Sequence, residues 1–307
     1  MTAPAESIRT RRRLGARTAL FQWLFVVPAL VYIGLYFAYP ILQNIVTGFQ
    51  HFTASTFYTG EAPWVGLDNY VQVIGSSSFF PVVRNTLLFT IGSTVGQFLL
   101  GLLLANFFRK HFPLGRVVRS LLLLPWLLPV IVATAIWRSL FDQDQGALSQ
   151  LLQNLGVVSS GVPWLTSPNF ALVSVIIVNI WIGVPFMLTI LYGGLTEIPE
   201  EIYEAGALDG ATGWRAFRHL TWPLLRPTVN VAVLLGVIYT LRSLDIILGL
   251  TRGGPANATQ TMPTQSYQLS FQLFDFGQGA AMSNLLIVIS FVFALVYLRA
   301  NRPSVVN

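Results

Sequence analysis

Apolar residues in this chain do not recur at the 3.6-residue period of a helix with one wet face; they come in long blocks. Six blocks, at about 19–43, 84–108, 117–141, 170–195, 224–250 and 279–299, are dominated by Leu, Val, Ile and Phe. Each reaches the roughly 20 residues that a helix needs to cross a hydrocarbon layer about 30 Å thick. The ten-residue alternation of a membrane barrel strand is not seen. The pattern predicts an all-α polytopic membrane protein with six transmembrane helices over 19–299, a basic N-terminal stretch at 1–18 and a short tail at 300–307. Pro28 and Pro40 predict a kink in the first helix, which neighbouring helices can tolerate. That block is longer than the apolar core of a signal peptide, and Phe37-Ala38-Tyr39-Pro40 is not a small-residue cleavage site, so the helix is expected to be retained.

Composition supports the same class. Of 307 residues, 54% are apolar and only 10% charged, against roughly 25% charged in soluble domains. The absence of cysteine excludes disulfides, thiolate metal sites and iron–sulfur clusters. His51, His111 and His219 have no metal-ligand spacing, so no metal and no cofactor bound by this chain is expected. The net charge of +6 resolves into topology once the basic residues are mapped. Arg9, Arg11, Arg12, Arg13 and Arg17 precede the first block; Arg109, Lys110, Arg116 and Arg119 separate the second and third; Arg215, Arg218 and Arg226 separate the fourth and fifth; Arg299 and Arg302 follow the sixth. The other side carries Arg84, Arg138 and Arg252, and Arg242 lies inside the fifth block. The positive-inside rule then places both termini in the cytoplasm of a multi-pass protein of the inner cell membrane. The basic charge faces lipid and cytoplasm, and no nucleic-acid partner is expected.

The connections at 44–83, 142–169 and 251–278 fall on the outer side, and 109–116 is a short basic turn on the inner side. The inner connection 196–223 is longer and patterned. Pro199 suits a first helical position, and Glu200, Glu201 and Glu204 favour the positive end of a helix dipole. Asp209-Gly210 is a turn signal, because glycine accepts the positive φ that ends a helix. Thr212 is placed to cap a second short helix through Phe217, closed by Pro223. A helix, a glycine turn and a helix would form a rigid knob on the membrane face.

The string Glu204-Ala205-Gly206, Asp209-Gly210-Ala211 and Leu220-Thr221-Trp222-Pro223 resembles the EAA loop of ABC-importer permeases. Gly206 stands where that pattern has a second alanine, and Trp222 where leucine is usual. Val65-Gly66-Leu67-Asp68-Asn69-Tyr70 resembles the short outer element of sugar-importer permeases. Leu124-Pro125-Trp126 and Ile136-Trp137-Arg138 resemble their third span, and Thr251-Arg252-Gly253-Gly254-Pro255, with Thr259 and Tyr267, resembles their Gly-Gly-Pro region. From about Pro28 to Tyr297 the chain is similar to the carbohydrate-uptake permeases of the maltose and glycerol-phosphate type.

The only lysine, Lys110, stands between Arg109 and His111, so no Gly-Lys-Ser/Thr phosphate loop exists and the chain is not expected to be an enzyme. The resemblance implies a type I importer architecture: a heterodimer with a second permease, two copies of a cytoplasmic ATPase that bind ATP and Mg, and an extracellular solute-binding protein. It also implies that residues 200–210 dock on the ATPase. In that role Glu204 offers a carboxylate, Ala205 and Gly206 allow close approach and Gly210 sets the turn; Glu200, Glu201 and Asp209 share the segment.

Broken helix segments near mid-membrane line transport sites, because loose backbone is tolerated beside a cavity. Gly183-Val184-Pro185-Phe186 in the fourth block, with Asn179 before it, and Tyr239, Thr240, Arg242, Ser243 and Asp245 in the fifth are therefore the candidate substrate path. Aromatic rings and hydroxyls suit a sugar. Gly, Ser and Thr also serve as plain helix contacts in membranes, and Arg242 and Asp245, three apart, could pair with each other. The same architecture serves peptides, polyamines or phosphate-bearing solutes. A secondary transporter is a further alternative, opposed by the lack of a clear internal repeat.

Overall fold

The computed structural model describes residue 23, residues 25–110 and residues 112–301. The basic run from Arg9 to Arg17, the first residues of the first predicted span, His111 and Arg302 with the end of the tail lie outside the described residues. Within them, five helices are long and apolar enough to cross a membrane, and a bent helix pair brings the number to six if the pair is counted as one span.

Helix α1 runs Phe25–Thr47. Beside Pro40, where a kink is predicted, the helix has a π turn, Gly34–Ala38, in which the Tyr39 N–H reaches back to the Gly34 carbonyl. Pro40 follows directly and has no N–H to give; the wider turn absorbs that missing donor. Most of α1 stands clear of the bundle, tied at one end by Asn44, whose Nδ2 donates to Asn284 Oδ1 at 2.7 Å and to Ser283 Oγ at 3.0 Å.

The connection after α1 holds two short helices, α2 (Ala54–Thr59) and α3 (Asp68–Gly75). Asn69 is buried, and its Nδ2 donates to the Gly48 and Gln50 carbonyls at 3.0 and 2.9 Å, while Tyr70 Oη accepts from Asn284 Nδ2 at 2.9 Å. The Val65–Tyr70 element thus closes the loop against the last span.

Helix α4 (Phe79–Arg109) packs in parallel along the apolar helix that spans Pro168–Thr196. The reason lies in Gly92, Gly96 and Gly101. A Cβ on Gly92 would sit 3.3 Å from Ile176 Cδ1, one on Gly96 2.8 Å from Ile180 Cγ1, and one on Gly101 2.8 Å from Met187 Cγ. Small residues four or five apart make a groove into which the facing side chains seat.

The third span is the bent one. Helices α5 (Gly115–Leu127) and α6 (Val130–Leu140) meet at 98°. Pro129 removes a donor and holds Leu128 extended at ψ 138°, which no continuous helix permits. After α7 (Ala147–Asn154) comes α8, the Pro168–Thr196 helix. It passes through Gly183 and Pro185 without a break, so the interruption expected there is absent; Thr189 Oγ1 donates to the Pro185 carbonyl at 2.8 Å.

Helix α9 (Glu200–Leu208) is followed by α10, Gly213–Leu241. The second short helix expected at 212–217 is not separate: a π turn at Phe217–Thr221 carries it through Pro223 into the fifth span. The span also stops earlier than predicted, at Leu241, and a new helix α11 (Asp245–Leu250) starts after a three-residue break. Helices α12 (Met262–Tyr267) and α13 (Phe276–Ala300) complete the chain.

One apolar cluster, with Phe108, Leu188, Leu191, Leu195, Leu225 and Val229, fills the end of the bundle near α9. Another, with Phe89, Phe141, Val175, Val178, Ile246 and Ile247, fills the opposite end. Between them α4 buries a polar stripe of Thr90, Ser93, Thr94 and Gln97, which marks the middle of the bundle as the place for polar chemistry.

Candidate functional site

Two places gather the candidate residues. The first is the knob. Pro199 is the residue before α9, at ψ 142°, and the helix begins at Glu200, one position later than expected. The helix ends on Gly210 at φ +78°. There the Ala211 N–H reaches the Gly206 carbonyl at 2.8 Å and the Gly210 N–H reaches Ala207 at 3.1 Å, the paired bonds that close a helix on a left-handed glycine. Glu200, Glu201, Glu204, Ala205, Asp209 and Gly210 are all exposed.

Gly206 is different: it is buried, and a Cβ there would collide with Leu220 Cδ1. Its small size serves the packing of α9 on α10 within this chain. Two large apolar side chains of the knob, Leu208 (90% exposed) and Trp214 (72%), remain uncovered; neither drew notice in the sequence.

The second place is a cavity of about 340 Å³ between α4, α5, α8, α10 and α11. Asn179, Gly183, Phe186, Tyr239, Thr240, Arg242, Ser243 and Asp245 all line it, although they come from three helices and a break. The broken backbones that border it are at Leu128–Val130 and 242–244, rather than at Gly183. Gly183 contributes space: a Cβ would strike the Gln97 side-chain amide. Arg242 caps α10 and Asp245 opens α11, so the one-turn pairing expected of them does not apply; both are exposed on the cavity wall.

The walls divide by chemistry. Trp126, Phe186 and Tyr239 form an aromatic series, with ring centroids 5.9 Å apart at 45° and 5.4 Å apart at 86°, within the range of favourable ring pairs. The same cavity is lined by the amides of Gln97 and Asn179 and the hydroxyls of Thr240 and Ser243. Gln97 Nε2 donates to the Asn179 carbonyl at 2.9 Å. Asn179 is only 6% exposed, and its Nδ2 has no partner. A buried donor left unpaired costs about 1–3 kcal/mol, and this one belongs to a residue that lines the cavity. Gln97 and Trp126 were missed as site residues, though an isolated amide inside an apolar span is itself a signal.

The Gly-Gly-Pro element borders an adjoining groove of about 830 Å³ lined by Arg138, Asp245 and Arg252. Gly253 takes φ +88°, and Thr259, fully buried, holds the turn by donating to the Gly254 carbonyl at 2.8 Å and bonding Thr251 Oγ1 at 2.7 Å. Among the described residues, no three His, Asp or Glu side chains are grouped as a metal ion would require.

A bundle of apolar helices around a polar-and-aromatic cavity, with a rigid knob at one end, defines a membrane transport subunit. Residues 97–302 match the family of binding-protein-dependent transport system inner membrane components. The chain belongs to that family and is a multi-pass protein of the inner membrane. The trehalose/maltose transport system permease protein MalF of Thermococcus litoralis is 32% identical over 94% of this chain and 96% of its own length. The sulfoquinovosyl glycerol transport system permease protein SmoG of Agrobacterium fabrum is 32% identical over 96% of this chain and 95% of its own. A bacterial ABC transporter that imports the acidic polysaccharide alginate contains a chain of the same fold, with a TM-score of 0.81 at 20% identity, covering 96% of this chain and 99% of that one.

Proposed function

We propose that this chain is the membrane subunit of an ATP-driven importer that conducts a sugar or sugar-like solute by alternating access. The observation that carries the reading is the cavity that joins Trp126, Phe186 and Tyr239 to Gln97, Asn179, Thr240 and Ser243. A sugar ring presents apolar C–H faces, which lie on aromatic rings, and hydroxyl edges, which need donors and acceptors. The names of the relatives point to carbohydrate substrates. Arg242 on the same wall is a partner for a carboxylate, sulfonate or phosphate should the sugar carry one.

In this reading both termini are cytoplasmic and 196–223 faces the cytoplasm. A second permease completes the path, an extracellular binding protein delivers the solute, and two ATPase subunits hold ATP and Mg. The exposed carboxylates of α9, with Ala205, Leu208 and Asp209, form the face that enters an ATPase groove. ATP-driven closure of the ATPases moves the knob and rocks the bundle between inward-open and outward-open states.

The test is uptake into vesicles holding this chain with its ATPase, second permease and binding protein. Phe186→Ala and Trp126→Ala each remove a ring contact and should raise the half-saturating sugar concentration about tenfold, with the ATPase still copurifying. Unchanged uptake kinetics in both variants would defeat the cavity reading.

A further inference from the structure

The side chain of Tyr203 in α9 is gripped from two separate spans. The Arg109 guanidinium, on the last residue of α4, lies 3.9 Å over the centre of its ring. Its hydroxyl bonds Thr221 Oγ1 at 3.0 Å, and Thr221, only 3% exposed, is the last residue of the π turn that leads α10 into the membrane. One turn along α9, buried Gly206 seats against Leu220 of the same π turn. The exposed carboxylates Glu200, Glu201 and Glu204 lie on the remaining surface of the helix. Helix α9 thus has an outward acidic face and an inward aromatic grip.

We infer that Tyr203 is a positioning residue that transmits force: its ring and hydroxyl lock the knob to the ends of α4 and α10, so that displacement of α9 moves both spans together. The inference rests on the proposed docking of α9 and concerns a different contact. An adaptable surface loop would slide over the membrane when pushed. A helix held to two spans, through a cation–π contact and a hydrogen bond on opposite parts of one ring, cannot slide without breaking both. The π turn contributes by widening the helix beside Thr221; π turns recur where a helix serves function at some expense of regularity. Helices α4 and α10 both line the cavity, through Gln97 and through Tyr239 and Thr240. The grip therefore joins the knob to two cavity walls without touching solute.

The test uses the cysteine-free chain in its complete complex, with Ser243→Cys as a reporter inside the cavity. The measurements are the rate of maleimide labelling with and without ATP and Mg, the rate of ATP hydrolysis, and ATPase retention during purification. In the Tyr203→Leu variant, which loses ring and hydroxyl, the complex should stay assembled and hydrolyse ATP while the ATP-dependent change in labelling falls about tenfold. Tyr203→Phe and Thr221→Val each remove only the hydrogen bond and should lower it about threefold. The double variant should fall no further, because both changes break one contact. Arg109→Lys should retain most of the response and Arg109→Gln should not. A Tyr203→Leu complex with the full labelling change at the parental hydrolysis rate would overturn the inference. So would loss of the ATPase from Tyr203→Phe, which would put the hydroxyl in the docking contact itself. A parental complex whose labelling ignored ATP would instead defeat the docking reading beneath it.

Discussion

Substitution at Gly210 separates backbone conformation from contact. The residue sits at φ +78° with nothing within 4 Å of where its Cβ would be. A Cβ there has open space around it, so the effect of a side chain on the folded knob is chiefly conformational. An L-residue in the left-handed region costs about 1–2 kcal/mol, and a β-branched one is a genuine outlier there. At about 1.4 kcal/mol per tenfold, valine should shift the turn toward open forms by roughly one order of magnitude. Opening it releases the Ala211–Gly206 and Gly210–Ala207 bonds and frees the exposed end of α9. Asparagine tolerates the same φ and should leave the turn closed. In matched expression, Gly210→Val should insert normally, fail to retain the ATPase in mild detergent and lose uptake, whereas Gly210→Asn should keep most of both. Wild-type retention and uptake in Gly210→Val would refute the argument. Equal loss in both variants would refute the conformational cause, because it would trace the effect to bulk at the docking face.

Gly206→Ala should behave differently, because its methyl meets Leu220. Overpacking of this kind costs about 1–3 kcal/mol, readable as a lower melting temperature of the purified complex and restored by Leu220→Ala. Thr240→Val with Ser243→Ala removes two hydroxyls from the cavity and should raise the half-saturating sugar concentration without loss of ATPase; unchanged kinetics would return both residues to helix packing. Gly96→Val would drive α4 off Ile180 and should reduce the yield of folded, monodisperse protein, measured by size exclusion in detergent. A cysteine introduced at Thr212 should resist an impermeant thiol reagent added to intact cells, and one in 142–169 should react; labelling of the first from outside would reverse the topology.

The knob was legible because its signals are local. Acidic residues at a helix start and a glycine at its end act within one or two turns, and α9 and Gly210 lie close to where the residues place them. The role of Gly206 was not, because the atom that demands a small residue, Leu220 Cδ1, is fourteen positions away. The cavity residues were chosen for polarity and aromaticity inside apolar blocks, and the structure gathers all of them. The break that Gly183 and Pro185 suggest does not occur, since α8 is continuous there, and the breaks lie instead at Leu128-Pro129 and after Leu241. Proline and glycine in a membrane helix need not interrupt it, since neighbouring side chains can take over the freed backbone groups.

The sequence by itself determined where the apolar blocks lie, what class of protein they make and which residue types are available for transport. Those properties follow from hydrophobic transfer over stretches of roughly 20 residues and from the placement of arginine, and both are written in the chain order. Only the tertiary structure decided which side chains share a cavity, which glycine serves packing and which serves a turn, and that Tyr203 spans Arg109 and Thr221. Along each span apolar residues cover both the buried and the lipid-facing sides, so hydropathy does not set the rotation or register of one span against another. Close packing at Gly92, Gly96 and Gly101 and pairing of the few buried polar groups do, and those contacts join residues far apart in the chain.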